Sequence, residues 1–402
     1  MSLDWLVVGT GMMGKIVAPT IRHVGDNIVG VVGRTDDHIQ AFMADRNVRI
    51  SSDTPYWTFE NYDQALAGSG ANAVAVLTPN FMHAEMGIQA AKSGKHVLME
   101  KPLATSVEDG KAFLDAVLEA EVAAEINSQY RHHEVFDEVR RIIDGGEFED
   151  PIFVRGRYTQ DWQDKPTAGV GWRPLVRVAG YGKLVPDLGA HTIQTTLYLF
   201  GGRFTEFDGK TYNIHPVRWQ PKRGVNVESF GGKEPTPEEL KRDFEPMDML
   251  DRTRYSGDDI ARAEGVLMTA AGKPVFVEYF LSQVHPGNKN KFTMELVFER
   301  GRIYWDQEQP NLLVVAGPDD QERIYQRGSA GLGITGSPPG HGHGYQTSIA
   351  RELMRFGDAA VLDPAGRKAY SQGNIGDALY AVELCGRWLE APLIPLGNYR
   401  PS

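Results

Sequence analysis

The most constraining feature of the chain lies at its start. The apolar run Trp5-Leu6-Val7-Val8 passes directly into Gly9-Thr10-Gly11-Met12-Met13-Gly14 and then into a helical stretch from Met12 to His23. A strand that turns through G-x-G-x-x-G into a helix commits the segment to a βαβ unit. The pattern alone is weak: with 44 glycines in 402 residues it should arise by chance roughly 0.5 times per chain. The chain supplies its own control, because Gly331-Leu332-Gly333-Ile334-Thr335-Gly336 fits the same expression with no apolar strand before it and no helix after it. The first match has the full context, including a second strand, Ile28 to Val32, that ends about 20 residues further on. There glycine permits a tight turn, close approach of backbone to a pyrophosphate and close helix–strand packing, while the helix N-terminus offers N–H groups and positive dipole. Gly9, Thr10, Gly11, Met12, Met13 and Gly14 are the candidate dinucleotide-binding loop.

Short β-branched runs alternate with helical stretches up to about residue 127. Strands are expected at Trp5 to Val8, Ile28 to Val32, Ala73 to Leu77, His96 to Met99 and Val122 to Ile126, and helices at Met12 to His23, His38 to Ala44, Phe81 to Lys92 and Val107 to Ala120, with a short helical turn from Asn61 to Leu66. Longer strands then follow at Ile152 to Asp161, Ala263 to Ala270, Val275 to Val284, Phe292 to Glu299, Gly301 to Trp305 and Asn311 to Val315. Helices are expected at Glu134 to Ile143, Gly189 to Phe200, Tyr345 to Phe356 and Asn374 to Leu389. This rhythm predicts an α/β protein: a Rossmann-type domain over residues 1–127, then an α/β domain over 128–402 with a large, mostly antiparallel open sheet. Residues 220–259 are polar with little periodicity, and Gly328 to Gly344 reads as a long loop.

Composition narrows the function classes. The 42 Lys and Arg against 53 Asp and Glu give a net charge of −11, without a basic block, so nucleic acid is not an expected partner. No apolar run approaches the 18 or so residues needed to cross a bilayer, so no membrane is expected either. The first residues carry neither a basic n-region nor a long h-region, and the expected compartment is the cytoplasm. The one cysteine, Cys385, cannot form an intramolecular disulfide and reads as buried and inert.

Several motifs carry chemistry. The second strand ends in Gly33-Arg34-Thr35, where an acid would bond the ribose 2′-hydroxyl of NAD and an arginine would pair with the 2′-phosphate of NADP. Arg34 favours NADP, with Asp36 and Asp37 close enough to keep NAD open. Thr78-Pro79-Asn80 and Glu100-Lys101-Pro102 follow the third and fourth expected strands, at carboxyl ends where open α/β sheets bind ligands. Pro102 biases Lys101 towards an extended backbone or a cis peptide bond. Asp187 and His191 stand four apart at the start of a helical stretch and share a face, where a carboxylate and an imidazole are able to meet one substrate hydroxyl. Taken alone that pair equally suits a helix cap and a neighbouring core histidine. His341-Gly342-His343 and His132-His133 lack acidic or cysteine companions at a recognised metal spacing, and no metal site is expected.

Taken together these residues resemble the Gfo/Idh/MocA family, named for glucose–fructose oxidoreductase and inositol dehydrogenase. The resemblance spans nearly the whole chain. It rests on Gly9-x-Gly11-x-x-Gly14, on Thr78-Pro79-Asn80-x-x-His83, on the run from Gly94 to Ala104 that contains Glu100-Lys101-Pro102, and on Asp187-x-x-x-His191 preceded by Trp172-Arg173. Ser282-Gln283-Val284 with Asn288, Trp305-Asp306-Gln307-Glu308 and Pro339 to Tyr345 are similar to a sugar-related subgroup.

The resemblance implies an enzyme that oxidises a secondary hydroxyl of a sugar or cyclitol, or reduces the matching ketone, with NAD or NADP, and that assembles as a homodimer or homotetramer. By position it makes Lys101, Asp187 and His191 catalytic and adds Thr78, Pro79, Asn80, His83, Glu100 and Lys101 to the cofactor site. It places Tyr130, Arg131, Gln160, Asp161, Trp162, Trp172, Arg173, Gln283 and Asn288 in the substrate pocket, where aromatics suit sugar faces and amides or guanidinium suit hydroxyls. The same superfamily contains dinucleotide-binding sensors and enzymes that recycle the cofactor through transient oxidation, and both stand as alternatives. The chain departs from the common pattern at Gly33-Arg34, where an acid is frequent, and in a long polar stretch from Gly224 to Arg254.

Overall fold

The computed structural model describes residues 2–168, 174–180, 182–222, 235–319, 321–326 and 344–396. The second glycine motif, His341, His343, Trp172 and Arg173 lie outside the described residues.

The first third of the chain alternates as expected, with one strand, β3, that was not expected: β1 (Asp4–Val8), α1 (Met12–His23), β2 (Asn27–Gly33), α2 (Asp36–Met43), β3 (Tyr56–Thr58), α3 (Tyr62–Gly68), β4 (Ala73–Val76), α4 (His83–Lys92), β5 (His96–Glu100), α5 (Val107–Ala120), β6 (Ala124–Asn127) and α6 (Glu134–Gly145). The six strands form one parallel sheet in the order β3-β2-β1-β4-β5-β6. Both faces are covered, so the central strands are buried along nearly their whole length, which is why they read as continuous apolar runs. The helices start where side chains satisfy orphan N–H groups: Ser106 Oγ accepts from the N–H of Asp109 at 3.1 Å, and Thr35 caps α2. Because β1 pairs with β2 on one side and β4 on the other, the loop after β1 sits where the strand order reverses.

The second part contains β7 (Pro151–Thr159), α7 (Val176–Ala179), a π-turn at Val185–Gly189 running into α8 (Ala190–Phe200), β8 (Arg203–Asn213), β9 (Val217–Pro221), α9 (Pro237–Asp243), β10 (Phe244–Asp248), β11 (Ile260–Met268), β12 (Pro274–Ser282), β13 (Lys291–Phe298), β14 (Gly301–Asp306), β15 (Leu312–Ala316) and β16 (Glu322–Gln326); α10 (Tyr345–Ala360), α11 (Pro364–Glu390) and β17 (Leu393–Pro395) follow. Nine strands form one sheet in the order β16-β15-β14-β13-β7-β12-β11-β8-β17, antiparallel except for the pairs β7–β12 and β8–β17.

Three expectations are corrected. The polar stretch around residues 220–259 is not featureless: α9 opens with a capping box between Thr236 and Glu239, and β10 pairs with β9. The eleven-residue β8 escaped notice because its sequence, RFTEFDGKTYN, is polar on its outward face. The division at residue 127 is also too simple. The chain forms two compact units, one comprising Met1–Arg140 with the late segment ending at Glu383, the other Arg141–Ser329 with the tail from Leu384. Ile349, Leu353 and Phe356 of α10 enter the same core as Trp5, Val7 and Val17, and Trp5 and Phe356 meet with ring centroids 5.3 Å apart.

Candidate active site

In the first unit, four carboxyl-terminal strand ends carry the candidate nucleotide residues. Gly9 has φ +116°, and a Cβ there would stand 2.5 Å from the Leu77 carbonyl oxygen, so the turn after β1 closes on the turn after β4 only without a side chain. A Cβ on Gly14 would stand 2.3 Å from the Gly9 carbonyl oxygen, whereas one on Gly11 would meet nothing within 4 Å. Open space therefore lies over the start of α1, whose cap, Gly11, contributes no side-chain hydrogen bond and whose first turn contains no acid. These features fit an anionic diphosphate: a helix N-terminus with an unfilled cradle and no competing carboxylate. At the end of β2 the guanidinium of exposed Arg34 lies 3.1 Å from Nε2 of His38, and Thr35 Oγ1 lies 2.6 Å from its Nδ1. An acid in place of Gly33 would force Ile39 to shift, since a Cβ would stand 2.5 Å from its Cγ1.

Lys101 follows β5 directly and is joined to Pro102 by a cis peptide bond. The Glu100 carboxylate accepts from the Lys101 N–H at 2.9 Å and from Asn127 Nδ2 at 2.7 Å, so it fixes the lysine's backbone from a buried position. His83 is corrected in role. Its ring is buried, with Nδ1 2.7 Å from the Pro102 carbonyl oxygen and Nε2 2.8 Å from that of Thr78, so it braces the two turns instead of facing a nucleotide. Burial and the charge of Lys101 outweigh the two carbonyl contacts and lower the pKa of this imidazole, so the neutral ring donates to one of the two carbonyls and packs against the other.

Two substrate-pocket expectations are also corrected in this unit. Arg131 is buried, with Nη2 2.9 Å from Glu125 and 2.7 Å from Asn374, and Tyr130 is buried with its ring 6.0 Å from that of Tyr345. Both side chains serve the core. His132 does have acidic companions: its Nε2 lies 2.8 Å from Glu125, at an unrecognised spacing, and 3.5 Å from Glu352, which distance along the chain had hidden. The three form a buried group that also holds the Arg131 guanidinium.

In the second unit the parallel pair β7–β12 ends at Thr159 and Ser282, and the residues just beyond both strands converge. Gln283 Nε2 donates to Asp187 Oδ2 at 3.0 Å, while Gln283 Oε1 has no partner among the described residues. The π-turn widens the spacing between Asp187 and His191, which brings residues four apart closer to a common face; such turns recur at functional sites. His191 is 3% exposed, and its ring centroid lies 6.0 Å from that of Tyr158. Tyr158 Oη and Gln160 Nε2 both donate to Asn290 Oδ1, at 2.7 and 2.9 Å, and Trp162 Nε1 donates to Gln160 Oε1 at 2.8 Å. Asn288 Nδ2 donates to Thr159 Oγ1 at 2.8 Å. Asp161 instead pairs with Lys289 at 2.7 Å, which lowers its pKa. The second unit thus brings together Asp187, His191, Gln160, Trp162, Gln283 and Asn288, and adds Tyr158 and Asn290. Tyr158 was legible as an aromatic at a strand end, whereas Asn290 carried no signal.

The family profile described as "Oxidoreductase family, NAD-binding Rossmann fold" matches residues 3–128, and that described as "GFO/IDH/MocA C-terminal domain" matches residues 136–304. The levoglucosan dehydrogenase of Pseudarthrobacter phenanthrenivorans is 28% identical over 340 residues, which cover 80% of this chain and 80% of that protein. The scyllo-inositol 2-dehydrogenase (NAD(+)) of Bacillus subtilis is 31% identical over 153 residues, 38% of this chain and 42% of that protein. A structure of levoglucosan dehydrogenase in complex with NADH and levoglucosan shares the fold, with a TM-score of 0.75 over 97% of both chains at 22% identity.

Proposed function

We propose that this chain, which belongs to the Gfo/Idh/MocA oxidoreductase family through both of its matched domains, is an NAD(P)-dependent dehydrogenase that moves a hydride between the nucleotide and a secondary hydroxyl of a sugar, sugar derivative or inositol-type polyol. The observation that carries this reading is the Asp187–His191 pair, a carboxylate steered by the Gln283 amide and an imidazole four residues on, beside a wall of hydroxyl and amide groups. Such a wall is complementary to a polyhydroxylated ring.

Bound NAD(P)+ supplies the hydride acceptor, C4 of its nicotinamide. His191 takes the hydroxyl proton while the carbon-bound hydrogen leaves with its electron pair, so the substrate loses one proton and one hydride. Lys101, carried over from the family resemblance, stabilises the alkoxide charge as it develops. Asp187 accepts a hydrogen bond from a neighbouring hydroxyl, which orients the ring, and it supports the imidazolium that forms on His191. Gln283 Oε1 and the Trp162 face complete the substrate contacts. Arg34, with Thr35 and His38, favours NADP over NAD. No helix among the described residues is long and apolar enough to cross a membrane. A cytoplasmic homodimer or homotetramer remains our reading, carried by the family resemblance.

Titration with NADPH and NADH by intrinsic fluorescence, then nicotinamide absorbance with a panel of cyclitols, hexoses and anhydrosugars, tests this reading. The expected result is tighter NADPH binding and substrate-dependent formation of reduced nucleotide. Tight binding without turnover on any of them contradicts it.

A further inference from the structure

Asp258 and Asp259 lie between Gly257 and the start of β11, and both are buried, at 2% and 0% exposure. A pair of adjacent acids in a polar stretch reads as solvated, so this burial needs a reason. Asp258 receives the start of the helix that carries Asp187 and His191. Its Oδ2 accepts from the N–H groups of Leu184 at 2.9 Å and Val185 at 3.2 Å, and its Oδ1 accepts from the N–H of Lys183 at 3.1 Å and from Ser256 Oγ. The next residue, Pro186, has no N–H. One carboxylate thus satisfies every backbone donor from 183 to 186, and places a negative charge at the positive end of the helix.

Asp259 reaches the same aspartate by a second route. Its carboxylate accepts from Lys183 Nζ at 2.9 Å, Arg218 Nη2 at 2.8 Å and the N–H groups of Ile214 and His215 at 2.9 and 3.0 Å. Lys183 Nζ also donates to Gln163 Oε1 at 2.6 Å. Gln163 and Asp259 then hold the backbone of Gln283 from both sides: Gln163 N–H donates to the Gln283 carbonyl at 3.1 Å, and Gln283 N–H donates to the Asp259 carbonyl at 3.2 Å. The side chain of Gln283 is the one that holds Asp187. The two acids and the two bases Lys183 and Arg218 balance in charge, so the group is stable only as a set.

We propose that Asp258 and Asp259 are positioning residues for the dehydrogenase reaction, setting Asp187 and His191 through the helix start on one side and through Gln283 on the other. This rests on the function proposed above. Neither acid need touch substrate or nucleotide; each acts through the groups it holds. A displacement of the pair by even about 1 Å is enough to slow hydride transfer about 100-fold.

The test is Asp258→Asn, which keeps the shape but turns an amide N–H2 towards backbone donors. Expected are a kcat lower by about 10- to 100-fold per folded molecule, a larger primary deuterium isotope effect with labelled substrate, and NADPH affinity within about twofold of the wild type. Amide hydrogen exchange at Leu184 and Val185 should accelerate, and Asp258→Glu should recover part of kcat. If Asp258→Asn does not fold, Ser256→Ala, which removes the Oγ–H donor to Asp258 and the Oγ acceptor 3.0 Å from the Lys183 N–H, should show the same changes at about 3- to 10-fold. An unchanged kcat and isotope effect, with or without faster exchange, overturns the proposal. Slow exchange at 184 and 185 in Asp258→Asn overturns it as well, independently of activity. Absence of turnover in the wild type overturns the underlying function instead, and the exchange measurement distinguishes the two failures.

Discussion

Gln283 Nε2 donates to Asp187 Oδ2 at 3.0 Å, so the residue immediately after β12 sets the direction of the carboxylate one turn before His191. Gln283→Leu removes that bond and the Oε1 acceptor while keeping the volume. It should lower kcat/KM by about 10- to 100-fold in steady-state assays, with nucleotide affinity unchanged. Wild-type kinetics in this variant would remove Gln283 from the site.

Arg34 leaves β2 exposed beside Thr35 and His38, at the strand end where the ribose of a bound dinucleotide is read. Arg34→Ala should weaken NADPH by at least about 10-fold, the loss of one charge-assisted contact of about 1.4 kcal/mol, and change NADH by no more than about twofold. Fluorescence titration of both nucleotides decides it, and equal losses would assign Arg34 no part in selectivity.

The buried group around Glu125 predicts unequal effects of two similar substitutions. Against the cost of burial, His132 and Arg131 hold the Glu125 carboxyl below its ordinary range, and it is ionised. Burial and the nearby Glu125 charge raise Glu352 well above its ordinary range, which favours its protonated form. Glu125→Gln strips the partner from a buried guanidinium and should cost about 3–5 kcal/mol, whereas Glu352→Gln replaces one neutral group by another and should cost about 1 kcal/mol or less. Urea unfolding of both variants measures the difference, and equal losses would contradict the assigned charges.

How much of this was readable beforehand follows the range of each signal. The strands β1, β2, β4, β5 and β6 and the helices α1 and α5 were legible because apolar runs, glycines and the Ser106 cap are local, whereas the three-residue β3 was too short to show. Asp187 and His191 were legible as a pair from their local four-residue spacing, and Gln283 only through the family resemblance. The return of α10 onto the core of Trp5 was not, because its apolar face does not say which core it joins. The pairing of Glu352 with Glu125 and His132, and of Asp258 with the amides of 183–185, joins segments far apart in sequence, and acids carry no mark of burial until a partner appears. His83 was legible as part of a motif, but only the fold turned it inward between Thr78 and Pro102.

His96 should make stability fall in mild acid. Its Nδ1 accepts from the N–H of Ala123 at 3.0 Å, which requires the neutral ring, and burial together with the charge of Arg367 lowers its pKa to about 4. A folded pKa below the unfolded value of about 6.5 gives stability that is present above about pH 6.5 and lost as pH falls towards 4. The ring is partly exposed, so the loss should be about 1–2 kcal/mol. Denaturant midpoints at about pH 7.5 and about pH 5 should converge in His96→Gln relative to wild type. An unchanged pH slope in that variant would place the acid sensitivity elsewhere.

The central claim is that Lys101 and the Asp187–His191 pair perform hydride transfer from a sugar or polyol hydroxyl. Its most direct test is the rate of reduced-nicotinamide formation by Lys101→Met beside the wild type, on the substrate that the wild type turns over best. The account predicts a fall of at least about 100-fold in kcat with nucleotide binding retained, the loss of one preorganised charge at the developing alkoxide. Turnover equal to the wild type in Lys101→Met would contradict it.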